Sequence, residues 1–238
     1  MIKLGKDHQL QININNWRNR QHSNGASDNE KVGYSQIPHI INLLKITEED
    51  LVSVRDTFLG NSGKVLDIGC GNGQFIRFFD SPNYKVYGVD INSDFLDTAK
   101  KKFPANTYLQ GDFLQLSIHE KFNFILCIGV LMYIPPSRIN IFFDKIYHSL
   151  EKNGVFFVQY THALTWADLL FNNICYLRYS PRFLEKVIGE RFEILTHEHF
   201  FDGRKVVDKD DKHYYFPDGT NSRTDTLENT YKLIIRKK

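Results

Sequence analysis

Residues 65–73 are Val65-Leu66-Asp67-Ile68-Gly69-Cys70-Gly71-Asn72-Gly73, and this stretch determines how the rest of the chain is interpreted. An apolar strand runs into three glycines, which predicts a tight turn where backbone amide hydrogens contact a nucleotide-like ligand. The glycine spacing is GxGxG, whereas dinucleotide sites use GxGxxG, and the third dinucleotide position is Gln74 here. A carboxylate at Asp67 would repel a pyrophosphate, so we expect a cationic ligand instead.

Strands and helices alternate after this turn, which predicts an α/β fold. The predicted strands are residues 64–68, 85–89, 107–110, 122–128, 154–160, 192–197 and 231–236. The predicted helices are residues 73–79, 93–103, 137–150, 163–175 and 181–188. Strands that are nearly all apolar, each followed by a crossover, are typical of a parallel sheet covered on both faces.

Two regions lie outside this regular pattern. Residues 1–60 are interpreted as an N-terminal arm and helical cap, with two short helices between residues 37 and 59. Residues 61–238 form the core, with a lid or insert near residues 161–180 and a long polar loop near residues 202–228. Tyr214, Tyr215 and Phe216 in that loop belong either to a lid or to the buried side of a hairpin.

Composition excludes several classes of protein. The chain has 238 residues, 42% of them hydrophobic, which is enough for one sizeable core. Its 30 basic and 28 acidic side chains give a net charge of +2, which argues against a nucleic-acid partner. Cys70, Cys127 and Cys175 are widely spaced without a CxxC pair, so neither a disulfide framework nor a zinc cluster is indicated. A reducing cytoplasm fits these cysteines best. The longest apolar run is about half of the ~20 residues that a spanning helix needs, so no membrane partner is expected. A monomer or homodimer is expected.

Three acids end three successive predicted strands. Asp67 lies in the first strand, Asp90 ends the second, and Asp112 follows the third. The carboxyl ends of parallel strands are where open α/β sheets bind ligands. Asp90 comes 17 residues after Gly73, close to the ~20-residue spacing of a ribose-hydroxyl acceptor. A carboxylate at Asp112 can accept a hydrogen bond from the exocyclic amine of adenine, and the backbone of Phe113 can contact the adenine as well.

Together these motifs resemble those of the class I S-adenosylmethionine-dependent methyltransferases over roughly residues 61–201. The resemblance rests on the glycine turn, Asp90, the Gly111-Asp112-Phe113 step, residues 122–135 and the turn at residues 150–154. It implies a Rossmann-like, doubly wound, mostly parallel seven-stranded sheet with an antiparallel last strand. It also implies an S-adenosylmethionine site made by Asp67, Gly69, Cys70, Gly71, Asp90, Ile91, Asp112, Phe113, Cys127 and Ile128.

The resemblance also implies a division of roles within this cofactor site. Asp67 and the glycine backbone would hold the methionyl part, and Asp90 would hold the ribose. Asp112 and Phe113 would hold the adenine, with the backbone at residues 127–128 near the methyl group.

Departures from the family pattern narrow the range of possible methyl acceptors. Some relatives place metal-binding Glu and Glu-His after the fourth strand, where this chain has Gly129, Met132 and Tyr133, so no metal is expected. The Asp/Asn-Pro-Pro-aromatic signature of enzymes that methylate nucleobase amines is also absent from the sequence. A small acceptor is therefore favoured.

Candidate catalytic residues follow the fourth and fifth strands. Tyr133 either orients or deprotonates an acceptor or forms an aromatic wall of the cofactor pocket. His162 is a candidate general base, with an ordinary polar loop residue as its alternative, and Arg178 is a candidate anion clamp. His197 and His199 share one face of a strand, which indicates a solvated face more than a metal pair.

A basic and aromatic group in the N-terminal arm is the candidate acceptor-binding region. It consists of Trp17, Arg18, Arg20, His22 and Tyr34. These residues either close over the cofactor and an anionic acceptor or form a polar arm that packs on the core.

The sequence therefore predicts methyl transfer from S-adenosylmethionine to an oxygen of a small metabolite, with S-adenosylhomocysteine as product. A sugar nucleotide, a glycan precursor or another phosphorylated compound is the expected acceptor. The alternatives are a small-molecule N-methyltransferase, a non-catalytic S-adenosylmethionine-binding partner protein and, least favoured, a nicotinamide oxidoreductase.

Overall fold

A computed structural model describes residue 15 and residues 38–161, 169–171, 174–176, 179–223 and 229–238. The strands are β1 (Gly63–Ile68), β2 (Tyr84–Asp90), β3 (Thr107–Gln110), β4 (Phe122–Ile128), β5 (Leu150–Thr161), β6 (Leu169–Phe171), β7 (Ile174–Tyr176), β8 (Phe192–Phe201), β9 (Arg204–Lys205), β10 (Asp208–Lys209), β11 (His213–Tyr215), β12 (Asn221–Arg223) and β13 (Asn229–Lys237). The α-helices are α1 (Pro38–Phe58), α2 (Ser93–Lys102), α3 (Pro136–Ser149) and α4 (Pro181–Ile188). Short 3₁₀ helices cover Ile76–Phe79, Leu131–Tyr133 and Gly189–Arg191. Among the described residues, no helix has the length and apolar content needed to span a bilayer.

Within the described residues, the main sheet has eight strands in the order β3-β2-β1-β4-β5-β13-β8-β9. Strands β1 to β5 pair in parallel with their neighbours, whereas β13 is antiparallel to both β5 and β8. This order confirms the predicted doubly wound, Rossmann-like α/β fold with an antiparallel last strand. It also brings the carboxyl ends of β1 to β5 to one edge, where ligands bind in such sheets.

The eighth strand, β9, was not predicted. It pairs with the end of β8 through a turn at Asp202 and Gly203, both of which have positive φ. Asp-Gly is a preferred two-residue hairpin turn because both positions must adopt the left-handed conformation.

The prediction of a polar loop at residues 202–228 was wrong for its described part. Strands β10, β11 and β12 form a three-stranded antiparallel sheet there. Tyr214 and Phe216 are buried against Phe201, with ring centroids 4.9 and 6.4 Å from that of Phe201. These aromatic side chains therefore belong to a small core, which corresponds to the buried-hairpin interpretation.

Three helix predictions also need correction. The predicted helix at residues 163–175 is wrong where the chain is described, because β6 and β7 form an antiparallel pair separated by two asparagines, a residue type common in turns. The two short helices expected at residues 37–59 are one continuous helix, α1. The helix expected at residues 73–79 is limited to a 3₁₀ turn at Ile76–Phe79. Apart from residue 15, the residues before α1 lie outside the described part, and the boundary at residue 60 stays a prediction.

Polar contacts attach α1 to the antiparallel half of the sheet. The hydroxyl of Thr47 donates to Gln159 Oε1 over 3.1 Å. The ammonium of Lys232 on β13 pairs with Asp50 of α1 and with Glu198 of β8. Thr47 and Asp50, in the middle of the helix, therefore attach α1 to the sheet.

We expect Lys232→Ala to lower the free energy of unfolding by about 2–3 kcal/mol, because it leaves the partly buried carboxylate of Asp50 unpaired and removes one of the two ammonium partners of Glu198. The Lys232 side chain is only 8% exposed. Lys205→Ala is the matched control, since Lys205 also pairs with Glu198 but is 49% exposed, and its loss should cost less than about 0.5 kcal/mol. Urea denaturation measures both, and equal losses would contradict this account of α1.

Candidate active site

The glycine turn after β1 is fixed tightly to its neighbours. The N–H groups of Gly69 and Cys70 both donate to the carbonyl of Val89, over 2.7 and 3.0 Å. Gly69 has φ +74°, and a Cβ at this position would lie 2.1 Å from Val130 Cγ2. Only glycine fits at residue 69, for two reasons. Other residues rarely adopt this left-handed backbone conformation, and their side chain would collide with the loop after β4.

Asp90 fastens this turn to the next one. Its Oδ2 accepts the N–H of Gly71 and its Oδ1 accepts the N–H of Asn92, each over 2.9 Å. Burial raises the pKa of Asp90, and hydrogen bonds from Asn92, Gly71 and Ile91 oppose that shift. The sequence predicted a ribose acceptor at Asp90, but it did not reveal this bracing of the glycine turn.

Asp67 is a buried acid beside the glycine turn. It is 1% exposed, and its Oδ2 has no hydrogen-bond partner among the described residues. Burial raises the pKa of Asp67 to about 8, and the charge of Asp90 adds to the increase. A cation brought next to this carboxyl group would favour its ionised form and lower its pKa again.

The turn after β3 presents a second buried carboxylate oxygen. Asp112 Oδ1 accepts the N–H of Leu114 over 2.9 Å. Its Oδ2 is buried and has no partner within the described part of the chain. The ring of Phe113 is buried in the core, with its centroid 5.8 Å from that of Phe142.

The remaining predicted cofactor residues lie close to these acids in the sheet. Cys127 and Ile128 end β4, next to β1, and Ile91 directly follows β2. Both Cys70 and Cys127 are buried, and burial raises the pKa of each thiol. These cysteines therefore serve as small packing groups rather than as nucleophiles. The structure brings all ten predicted cofactor residues to the same edge of the sheet.

Tyr133 is half-buried in the 3₁₀ turn after β4, and β7 lies beside that turn. Its placement is compatible with either predicted role. The hydroxyl of Tyr179 donates to the carbonyl of Ile134, which ties the end of this turn to the segment before α4. The sequence had no signal for this contact, because the two residues lie 45 positions apart. The other predicted acceptor-side residues lie outside the described part: His162, Arg178, Arg18, Arg20, His22 and Tyr34.

The expectation of a solvated histidine face was wrong. His197 Nε2 lies 2.7 Å from the hydroxyl of Tyr160, and its Nδ1 lies 2.8 Å from Glu185 Oε1. His199 stacks on Tyr231 with ring centroids 4.5 Å apart. Strand alternation placed both histidines on one face correctly, but aromatic side chains occupy that face. Across the described ranges, no group of three or more His, Cys, Asp or Glu side chains is arranged to hold a metal.

Comparison with known proteins identifies this arrangement. Residues 65–154 match the family model described as a methyltransferase domain. That match contains the glycine turn, all three acids and the end of β4. The chain carries a class I S-adenosylmethionine-dependent methyltransferase domain.

Solved structures support the fold of this methyltransferase domain. The N-methyltransferase NodS from Bradyrhizobium japonicum WM9, in complex with S-adenosyl-L-homocysteine, superposes with a TM-score of 0.61 at 12% identity, covering 98% of both chains. Magnesium protoporphyrin IX methyltransferase from Synechocystis PCC 6803, with bound S-adenosylhomocysteine, gives 0.60 at 15% identity, covering 98% of this chain and 97% of that one. These likenesses show the fold alone.

Among curated proteins, a malonyl-[acyl-carrier protein] O-methyltransferase from Hamiltonella defensa is 41% identical over 54 residues, which are 23% of this chain and 21% of that protein. The chain spans only 21–27% of the length of the first curated relatives it matches.

The methyltransferase domain fits S-adenosylmethionine, the cofactor of its family, on one structural observation. Buried carboxylate oxygens of Asp67 and Asp112 lack partners among the described residues. A ligand with cationic and hydrogen-bond-donating groups would satisfy both oxygens.

We expect Gly69→Ala to weaken S-adenosylhomocysteine binding more than about tenfold, because the new Cβ must displace Val130 and shift the turn. Gly60→Ala is the matched control, since Gly60 has φ +62° but nothing lies within 4 Å of a Cβ there. The control should lose about 1 kcal/mol of stability and keep its affinity. Isothermal titration calorimetry measures the affinity of both variants. Unchanged affinity in Gly69→Ala would show that the packing of Val130 against Gly69 does not shape the binding site.

Proposed function

We propose that this protein transfers the methyl group of S-adenosylmethionine to an oxygen of a small metabolite. The observation that carries the proposal is the separation of charge around the site. Three acids end β1 to β3, on the side assigned to the cofactor, whereas residues 129–134 after β4 are uncharged and include Tyr133. A neutral, tyrosine-containing segment suits an oxygen acceptor better than an ammonium, which would favour a nearby carboxylate.

Within this proposal the three acids divide the cofactor among them. Asp67 pairs with the ammonium of the methionyl group, for which its unpartnered buried oxygen is suited. Asp90 accepts the ribose hydroxyls with the lone pairs that Gly71 and Asn92 leave available. Asp112 accepts the exocyclic amine of adenine, and the backbone of Phe113 lies along the ring.

The chemistry of the transfer makes positioning the main task of the protein. Bound S-adenosylmethionine supplies an activated methyl group and a thioether leaving group. The rigid turn at Gly69 and the segment after β4 hold the reacting groups in line, which accounts for a large share of the rate acceleration in such displacements. Tyr133 orients the acceptor oxygen, and His162 accepts its proton when the acceptor is a hydroxyl.

The acceptor we favour is anionic, such as a sugar nucleotide, a glycan precursor or another phosphorylated compound. Arg18, Arg20, His22 and Tyr34 would bind it, with Arg178 as a clamp, because guanidinium groups bind phosphate in a bidentate manner. A cytoplasmic location, where these compounds are made, is part of the proposal. The match to a malonyl-[acyl-carrier protein] O-methyltransferase supports oxygen as the acceptor atom.

N-methylation of a small amine is the second candidate. NodS, named as an N-methyltransferase, shares this fold, so the fold itself is compatible with an amine acceptor. This alternative predicts an acidic acceptor pocket rather than a basic one.

We expect the purified protein to release S-adenosylhomocysteine when it is incubated with S-adenosylmethionine and an oxygen acceptor. The panel comprises sugar nucleotides, sugar phosphates, carboxylic acids and primary amines, and liquid chromatography with mass spectrometry quantifies the product. Asp90→Ala is the control and should abolish turnover through lost cofactor binding. Turnover with amines alone would replace the proposal by the second candidate, and binding of NADH without binding of S-adenosylhomocysteine would refute both.

We also expect cofactor binding to release a proton near neutral pH. Empty, the buried Asp67 carboxyl group keeps its proton up to about pH 8, far above its ordinary pKa of 3.8. The contribution of this proton to the free energy of unfolding is largest below about pH 4. It declines as the pH rises towards 8 and is lost above that pH. An ammonium next to Asp67 ionises it, so binding at pH 7 should release up to about one proton.

Titration calorimetry with S-adenosylhomocysteine in phosphate and in Tris buffer measures that proton through the difference in binding enthalpy. Asp67→Asn is the control and should bind without the Asp67-linked release. Equal enthalpy differences between the two buffers in wild type and variant would rule out Asp67 as the source.

A further inference from the structure

The turn after β3 is closed by its own backbone. The carbonyl of Asp112 accepts the N–H groups of Gln115 and Leu116, over 2.9 and 3.0 Å. The N–H of Gly111 donates to the carbonyl of Asp90 over 2.9 Å, which attaches the start of the turn to β2. Residues 111–116 therefore form a compact unit, referred to below as the adenine turn.

Lys145 of α3 holds the adenine turn from outside. Its ammonium donates to the carbonyls of both Phe113 and Leu116. The same ammonium lies 4.8 Å from the centroid of the Phe113 ring, a cation–π distance. Burial lowers the pKa of Lys145, and the carboxylate of Asp112 opposes that shift, so the two charges interact favourably. A single side chain thus satisfies two backbone carbonyls of the turn.

The direction of the free carboxylate oxygen depends on this turn. Asp112 Oδ1 is held by the N–H of Leu114, which belongs to the same turn, while Oδ2 is buried without a partner among the described residues. Any change in the backbone between Phe113 and Leu116 therefore moves the donor that fixes Oδ1 and redirects Oδ2.

We infer that Lys145 is a positioning residue of the adenine site: it fixes the turn so that Asp112 Oδ2 receives the exocyclic amine of the cofactor. The inference rests on the proposed adenine role of Asp112 and extends it to a residue on another element. Lys145 acts through Asp112 and Phe113 and has no assigned contact with the acceptor.

Lys237 provides a matched control. Its ammonium donates to the carbonyl of Leu150 over 2.8 Å and lies 4.4 Å from the centroid of the Tyr147 ring. Burial lowers its pKa as well. Lys237 thus makes the same kinds of contact as Lys145, but it ends β13 beside the first residue of β5, at the opposite edge of the sheet from the cofactor residues.

The test compares the affinities of S-adenosylhomocysteine and S-inosylhomocysteine, in which an oxygen replaces the exocyclic amine. Titration calorimetry gives both dissociation constants and their ratio. We expect the wild-type protein to prefer S-adenosylhomocysteine by about tenfold or more, since Asp112 loses a hydrogen-bond donor and faces an oxygen in the analogue. Lys145→Met should reduce this preference to less than about threefold, and Lys237→Met should keep the wild-type ratio.

The ratio separates positioning from general damage to the fold. A variant that is merely less stable loses affinity for both ligands by the same factor and keeps the ratio, and urea denaturation records its stability independently. Lys145→Arg retains the charge and both donations, so it should recover most of the preference. A wild-type ratio in Lys145→Met would overturn the inference.

Asp112→Asn distinguishes failure of the inference from failure of the underlying assignment. Loss or reversal of the preference in this variant supports the adenine role of Asp112, and the result for Lys145→Met then decides the inference. An unchanged preference in Asp112→Asn would refute that role and the inference together. Absence of S-adenosylhomocysteine binding by the wild-type protein would refute the proposed function itself.

Discussion

Asp90 holds the site together, because one residue serves three turns. Its two carboxylate oxygens accept from Gly71 after β1 and from Asn92 after β2. Its backbone carbonyl accepts from Gly111 after β3. Buried N–H groups need acceptors, so the conformations of these turns depend on one another. The relative positions of the turns after β1, β2 and β3 are consequently fixed by hydrogen bonds to a single residue.

Much of this arrangement could be predicted from the sequence, since it depends on local patterns. The apolar runs and the glycine turn predicted the parallel strands. Acids at the ends of successive parallel strands must then lie at one edge of the sheet. The short 3₁₀ turn at Ile76–Phe79 and the continuous helix α1 were missed, because residues distant in sequence decide where those elements begin and end. The hairpin at Asp202-Gly203 did have a sequence signal, but β9 is too short to show strand periodicity.

Side-chain partners were the part that the sequence could not give. Strand alternation predicts that His197 and His199 share a face, yet it cannot tell that Tyr160, Glu185 and Tyr231 occupy it. Lys145 lies 29 and 32 positions from its two backbone acceptors, and no spacing rule links a helix residue to a turn at that separation. Such contacts depend on how α3 packs across the sheet.

The three acids also have a consequence for turnover. Methyl transfer removes the sulfonium charge but leaves the ammonium, the ribose and the adenine intact. On the assignments proposed above, the product therefore retains every group that Asp67, Asp90 and Asp112 bind. A site built this way discriminates weakly between cosubstrate and product, so we expect S-adenosylhomocysteine to inhibit the protein strongly. Sustained methylation would then require an enzyme that consumes S-adenosylhomocysteine in the same compartment.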